Sequence, residues 1–162
     1  MDLSVWFQSQ LQASAEGFIW GVEQVPQERR YVQPPQPLGE WTAARHVFHL
    51  LNYERTVAIP SMHQWLGKPC PSVDDDEDIA WGDGQELDNL FAQLRAVRAE
   101  QIALLPRFEN TLWEERREAL WGPVTLRWVV SKTYQHTCEH SHDVLRLALF
   151  WDFYARPQES EA

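Results

Sequence analysis

Cysteine is scarce in this sequence: 162 residues include only Cys70 and Cys138, and they form no CxxC motif. Two cysteines are too few for a disulfide framework, so we expect free thiols and a reducing compartment. No stretch reaches the roughly 18 consecutive apolar residues of a transmembrane helix. No lysine or arginine precedes Arg29, which argues against a signal peptide. The sequence therefore predicts a cytoplasmic protein.

Basic residues are also few. Lysine and arginine total 14 against 24 acidic residues, and the net charge is −10. Affinity for nucleic-acid phosphates depends on clustered basic residues that release counterions, and an anionic membrane surface needs the same attraction. The chain has no GxGxxG, P-loop, GxSxG or HExxH motif, so nucleotide and nucleophilic-serine chemistry have no support. We expect neither nucleic acid nor membrane as a partner.

The chain does have enough apolar sequence for one core. Hydrophobic residues make up 44% of it, and a chain near 150 residues buries roughly two-thirds of its unfolded surface. We predict a single domain over residues 1–162. Two segments are expected outside its core: an acidic loop at about residues 67–84, solvated and without assigned function, and a disordered tail at about residues 156–162.

The spacing of apolar residues predicts four helices. The core positions of the first recur at intervals of three and four: Phe7, Leu11, Ala15, Phe18, Val22 and Val25. The fourth carries a similar stripe: Val129, Thr133, His136, His140, Val144, Leu147 and Trp151. Capping residues and breakers give the boundaries: Pro26 after the first helix, Thr42 to Pro60 around the second, Gln85 to Pro106 around the third, and Thr125 before the fourth.

No segment of useful length has the alternation of a strand. Four helices of about 15 to 25 residues in one small domain predict an all-α four-helix bundle. The long second and third connections allow a topology other than simple up-and-down.

The histidines are clustered. Two lie in the second helix as HVFH and two in the fourth as HTCEH. Because His136 and His140 are four residues apart, successive turns point both imidazoles the same way, and both can reach one metal at about 2.0 to 2.1 Å. His49 or His46 can supply a third ligand from the second helix. Three imidazoles leave coordination positions open, which is typical of a catalytic metal site.

Other residues near these histidines are not expected to be ligands. His142 is two positions from His140, so the helix rotates it about 200° away and it is expected at the surface. Cys138 lies between the histidines of HTCEH and is expected to be a small packed thiol. Tryptophans can line a pocket beside the metal, and two candidates are Trp128 and Trp151.

Two segments resemble the DinB-like superfamily of metal-binding four-helix bundles: EWTAARHVFHLLNYE and WGPVTLRWVVSKTYQHTCEHSHDVLRL. The first resembles the family's Trp-Ser/Thr opening with a later His-Leu pair, and the second resembles its last helix with HxxxH. The resemblance covers nearly the whole chain. It implies a DinB-like helix order, a homodimer, and a divalent metal on His49, His136 and His140, with His46 as a second choice. Three imidazoles suit zinc, nickel, copper and iron, and of these we favour zinc or nickel.

Characterised members of that superfamily include thiol-dependent S-transferases, a mycothiol-dependent maleylpyruvate isomerase and hydrolase-like proteins. The resemblance therefore implies an enzyme whose metal activates a low-molecular-weight thiol or a water molecule for attack on a small-molecule substrate. Two alternatives remain open: a non-catalytic metal-binding or stress-response protein, and a bundle that binds another protein.

Overall fold

The computed structural model describes residues 2–72, 77, 81 and 85–156. Within them the chain folds as a bundle of four long helical units with one small hairpin. In chain order the elements are α1 (Leu3–Gln24), α2 (Ala43–Tyr53), α3 (Ile59–His63), α4 (Leu87–Leu104), β1 (Arg116–Ala119), β2 (Gly122–Thr125) and α5 (Leu126–Ala155). Most of the predicted acidic loop and residues 157–162 of the predicted disordered tail lie outside the described residues.

The predicted N-caps are confirmed. The Thr42 hydroxyl accepts a hydrogen bond from the backbone N–H of Arg45 at 3.1 Å, and that of Thr125 accepts one from the N–H of Trp128 at 3.1 Å. Each satisfies one of the amide protons that the first turn of a helix leaves unpaired. These caps fix the starts of the two helices that carry the clustered histidines.

The second predicted helix continues beyond Pro60. A π-helical turn, Glu54–Ala58, joins α2 to α3, so the two form one continuous helical unit. A proline inside a regular α-helix removes one N–H donor and collides with the carbonyl of the preceding turn. Here the wider π turn lies immediately before Ile59 and Pro60, and such a local change of helix geometry is a common way to accommodate a break in the hydrogen-bond ladder.

The first helix buries the face that its sequence predicts. All six predicted core positions, from Phe7 in α1 to Val25 directly after it, are buried. α1 packs against α4 and α5, and α2 packs against the same two helices. Consecutive helices α1 and α2 therefore lie diagonally opposite each other, and the order around the bundle is α1, α4, α2, α5. This differs from a simple up-and-down arrangement.

The last helix is the longest, with 30 residues. All seven residues of its predicted stripe, from Val129 to Trp151, are buried. Its opposite side faces outward and carries polar and charged side chains together with exposed apolar ones, among them Trp128, Leu149 and Phe153. In the described part of the chain, no helix combines the length and the hydrophobicity needed to cross a bilayer.

A two-stranded antiparallel hairpin precedes α5, which the sequence did not predict. β1 and β2 pair from Arg116 opposite Thr125 to Ala119 opposite Gly122. Each strand has four residues, too few to show a clear alternating pattern. The 3-10 turn that follows α3, Gln64–Leu66, holds the hairpin in place, because Trp65 Nε1 donates a hydrogen bond to the carbonyl of Glu115 at 3.0 Å.

Candidate metal centre

Helices α2 and α5 bring three histidine side chains to one point. The Nε2 atoms of His49 and His136 lie 3.0 Å apart, and those of His136 and His140 lie 3.1 Å apart. All three residues offer a ring nitrogen within 4.8 Å of the others. Nitrogens at these separations can bind one ion at about 2.0 to 2.1 Å. The structure thus brings together the three residues predicted as metal ligands.

The two histidines of α5 are held in the neutral form. His136 and His140 are each only 9% exposed. Burial, which penalises the charged imidazolium, lowers the pKa of His136 to about 3 and that of His140 to about 4, and the neighbouring imidazoles act in the same direction. A neutral imidazole binds a metal through the free lone pair of one ring nitrogen.

His46 contacts the far side of His140. The Nδ1 atoms of the two rings lie 2.8 Å apart, whereas it is Nε2 of His140 that faces His136. Burial and the nearby rings of His140 and His49 lower the pKa of His46 to about 3. The sequence did not decide which α2 histidine is the third ligand. In the structure His49 joins the cluster of Nε2 atoms, whereas His46 contacts the opposite ring nitrogen of His140. His46, His140 and Asp143 form a second, overlapping group of potential ligands.

Glu77 holds His49 in the same way. Its carboxylate oxygens lie 2.8 and 2.9 Å from Nδ1 of His49, and one of them also pairs with the Arg45 guanidinium at 2.9 Å. A carboxylate behind a metal-binding histidine fixes the ring and raises its basicity. Glu77 belongs to the acidic run that was expected to be solvated and without function. Only the fold reveals its contact, because 28 residues separate it from His49.

Aromatic rings enclose the histidines. Trp41 stacks on His140, with centroids 5.9 Å apart and planes inclined by 8°. The ring of Tyr53 meets His136 edge-on at 4.5 Å. These rings restrict the rotation of the imidazoles and limit the access of water. Trp41 directly precedes the N-cap of α2, so the start of that helix places it over the site.

A buried ion pair lies beneath the centre. Arg98 on α4 binds both carboxylate oxygens of Glu54, the first residue of the π turn. The same guanidinium donates a hydrogen bond to Oγ1 of Thr137 at 2.9 Å and another to the carbonyl of Leu11. Thr137 is next to His136 in α5. The network therefore joins all four helical units directly behind a candidate ligand, although Arg98 and Glu54 resemble surface charges in the sequence.

The other residues singled out in the sequence lie around this centre. His142 is at the surface as predicted, with 73% of its side chain exposed. Cys138 is exposed, so its prediction as a packed thiol is wrong: two positions from His140, the helix turns it away from the bundle. Trp128 lines a separate cleft, and Trp151 is part of the hydrophobic core.

Comparison with known proteins agrees with this architecture. A sequence model of the DinB superfamily matches residues 10–144, a range that includes all three histidines of the cluster. The chain is similar in structure to YfiT from Bacillus subtilis, described as a probable metal-dependent hydrolase with an unusual four-helix bundle topology. That match has a TM-score of 0.74 and 15% identity, and it covers 90% of this chain and 85% of YfiT. No curated protein matches.

Proposed function

The chain belongs to the DinB superfamily, and from that premise we propose that it is a metal-dependent enzyme acting on a small molecule. Nε2 of His49, His136 and His140 would hold one divalent metal, zinc or nickel, beside which a water molecule or a low-molecular-weight thiol becomes the nucleophile. The observation that carries the proposal is the separation of 3.0 and 3.1 Å between the Nε2 atoms of these rings.

The residues fit such a metal. Burial keeps His136 and His140 neutral and ready to bind. Three protein ligands leave at least one coordination position for water or substrate, as in catalytic rather than structural zinc sites. A divalent metal in this setting supplies a lowered pKa for the water or thiol that it holds, so that a nucleophile is present near neutral pH.

The remaining residues of the centre orient the three histidine rings and shield them from solvent. Nδ1 of His46 lies 2.8 Å from Nδ1 of His140, so it can accept a hydrogen bond from Nδ1–H of His140 in the tautomer whose Nε2 has its lone pair free for the metal. The Glu77 carboxylate accepts a hydrogen bond from Nδ1–H of His49, which leaves the lone pair of Nε2 of His49 free for the metal. Trp41 and Tyr53 pack against the rings and exclude bulk water from one side. Each contact prepares the site before substrate arrives.

Two reactions use this nucleophile differently. In hydrolysis, water adds to an ester or amide, the bond to the leaving group breaks, and the leaving group takes up a proton. In S-transfer, a thiol loses its proton and its sulfur displaces a leaving group or adds to an electrophile. The description of YfiT as a probable hydrolase makes hydrolysis the first reaction to test.

Elemental analysis of tag-free protein tests the metal site. We expect about one metal per chain in the wild type. His49→Ala and His140→Ala should lose it, while His46→Ala and the surface control His142→Ala should retain it. Metal in equal amounts in all variants, or none in the wild type after incubation with zinc or nickel, would refute the assignment.

An activity screen then separates the two reactions. Metal-loaded protein is mixed with a panel of esters and amides alone, and with an electrophile panel in the presence of bacillithiol, mycothiol or glutathione. Turnover that a chelator abolishes and the metal restores supports an enzyme, and the requirement for thiol identifies the nucleophile. No metal-dependent turnover in either panel would favour a non-catalytic metal-binding protein.

A further inference from the structure

The outer face of α5 carries an aromatic cleft that the metal centre does not use. Trp121 lies in the turn of the hairpin and Trp128 in the first turn of α5, with ring centroids 5.1 Å apart and planes inclined by 55°. With Ser131, Lys132 and Gln135 they line an open depression of about 480 Å³. Two indole rings in a depression of this size suit a small, flat, apolar molecule.

One cationic side chain, that of Lys132, lines this cleft. Lys132 is one of only two lysines in the chain, and its Nζ donates a hydrogen bond to Oε1 of Gln135 at 2.6 Å. Among the residues that the structure describes, no carboxylate forms an ion pair with it, whereas the nearby Arg127 is paired with Glu114. In a chain with a net charge of −10, this ammonium is a local attraction for an anionic group.

A second depression lies next to this cleft along α5. Gln135 lines both this depression and a second one, of about 660 Å³, which includes His136 and His140. At a helical rise of about 1.5 Å per residue, Lys132 lies about 6 Å and Trp128 about 12 Å from His136 along the helix axis. A molecule seated on the indoles must therefore be about 12 Å long to reach the level of His136.

We propose that this cleft binds the substrate and that the substrate is a small aromatic anion. Its ring packs against Trp121 and Trp128, its anionic group pairs with Lys132, and its reactive bond extends along α5 to the histidines. The role of the bound molecule as a substrate rests on the proposed function. Its binding in the cleft depends on the indoles and the ammonium and does not need the metal.

Isothermal titration with two probes of equal shape tests the charge. The full chain, treated with chelator and shown by elemental analysis to be metal-free, is titrated with 2-naphthoate and with neutral 2-naphthamide. We expect 2-naphthoate to bind about two- to fivefold more tightly, the range of a partly exposed ion pair. Lys132→Gln should remove this preference and Lys132→Arg should retain it. Lys68→Gln, the change at the other lysine, is the matched control and should behave as the wild type.

A second pair of variants tests the aromatic wall. Trp128→Ala should weaken both probes about tenfold, because the loss of a stacked ring affects the charged and the neutral molecule alike. Trp20→Ala removes another exposed tryptophan, on α1, and should change neither affinity.

Three outcomes would overturn the inference: equal affinity of the wild type for the two probes, equal behaviour of Lys132→Gln and Lys68→Gln, or no binding of either probe. Sedimentation tests a second copy of the chain as the occupant: a dimer that Trp128→Ala dissociates, with neither probe bound by the wild type, would make the cleft a subunit interface.

The metal measurements test the proposed function independently of the cleft. If the chain binds 2-naphthoate through Lys132 but holds no metal, the binding cleft is supported and the proposed function is refuted. If it holds the metal but binds neither probe, only the proposal for the cleft is refuted.

Discussion

The pairing of His46 with His140 decides what each ring can do. When Nε2 of His140 binds a metal, Nδ1 keeps its proton and donates a hydrogen bond to Nδ1 of His46, 2.8 Å away. Such a partner fixes the tautomer and orientation of the ligand. Glu77 does the same for His49 from a different segment. Nδ1 of His136 is buried and has no hydrogen-bond partner among the described residues, so packing against Tyr53 orients that ring instead.

Substitution of His46 tests this supporting role. We expect His46→Ala to keep the metal but to raise its Kd about 10- to 100-fold, the usual effect of losing a hydrogen-bond partner behind a ligand. His140→Ala should remove measurable binding. Competition with a chromophoric chelator measures both constants, and His142→Ala serves as the exposed control. If His46→Ala loses as much affinity as His140→Ala, His46 is itself a ligand.

The lowered histidine pKa values predict how the metal-free protein responds to acid. Unfolded histidine titrates near pH 6.5, whereas burial lowers the pKa of His46 and His136 to about 3 and that of His140 to about 4. Between these values the unfolded chain binds protons that the native chain does not. The free energy of unfolding should therefore fall as the pH decreases from 6.5 to 4, by up to about 1.4 kcal/mol per pH unit for each such histidine.

Urea unfolding in chelator at pH 7 and pH 5 measures this slope. His46→Gln removes one of the three groups and should reduce the loss of stability, whereas His142→Gln changes an exposed ring and should not. Equal slopes in the wild type and His46→Gln would contradict the prediction.

At the scale of the elements, the π turn gives Glu54 its place in the core. Its side chain is fully buried, and that of Arg98 is 2% exposed. The guanidinium also binds Thr137 in α5 and Ser14 in α1. Two charged side chains that are removed from water need such hydrogen bonds, in addition to their mutual attraction, to offset the free-energy cost of desolvation. The network fixes the α2–α3 unit against α4 and α5, and thereby holds His49 opposite His136.

Breaking this ion pair should be costly. Glu54→Gln leaves a buried guanidinium without its counter-ion, so we expect a loss of about 3 to 5 kcal/mol in the free energy of unfolding. The matched control lies one turn away on α4: Arg95 pairs with Glu16, both nearly half exposed, and Arg95→Gln should cost less than about 1 kcal/mol. Urea denaturation compares them. If the free energy of unfolding falls no more in Glu54→Gln than in Arg95→Gln, the buried ion pair adds no more stability than the exposed one.

The elements that the sequence predicts well are those whose burial has a helical period. The stripes of α1 and α5 repeat every three to four residues over many turns, so their buried faces follow from spacing alone. The hairpin shows no such repeat, because each strand has only four residues and long-range contacts such as Trp65 with Glu115 stabilise it. The burial of Glu54 in the π turn is matched by its ion pair with Arg98, 44 residues away along the chain, which spacing cannot show.

At the scale of the whole molecule, the candidate centre was predicted in part. HTCEH places His136 and His140 on one face of a single helix, so their proximity is a local property. The choice between His46 and His49 depends on how α2 is rotated against α5, and only the packed bundle settles which ring nitrogen faces His136. Glu77 was missed because an acidic run far along the chain carries no information about its partner.

A metal that joins α2 to α5 should also stabilise the whole fold. Because binding requires His49 and the α5 histidines together, the unfolded chain lacks the site. At a metal concentration a hundred times its Kd, the free energy of unfolding should rise by about 2.7 kcal/mol, which corresponds to an increase of about 5 to 10 °C in Tm for a domain of this size. Differential scanning calorimetry with and without zinc or nickel measures it, and His49→Ala should abolish the increase. If a chelator removes the metal from the wild type and Tm does not change, the metal does not join the two helices. If Tm falls but no substrate is turned over, the metal serves stability alone.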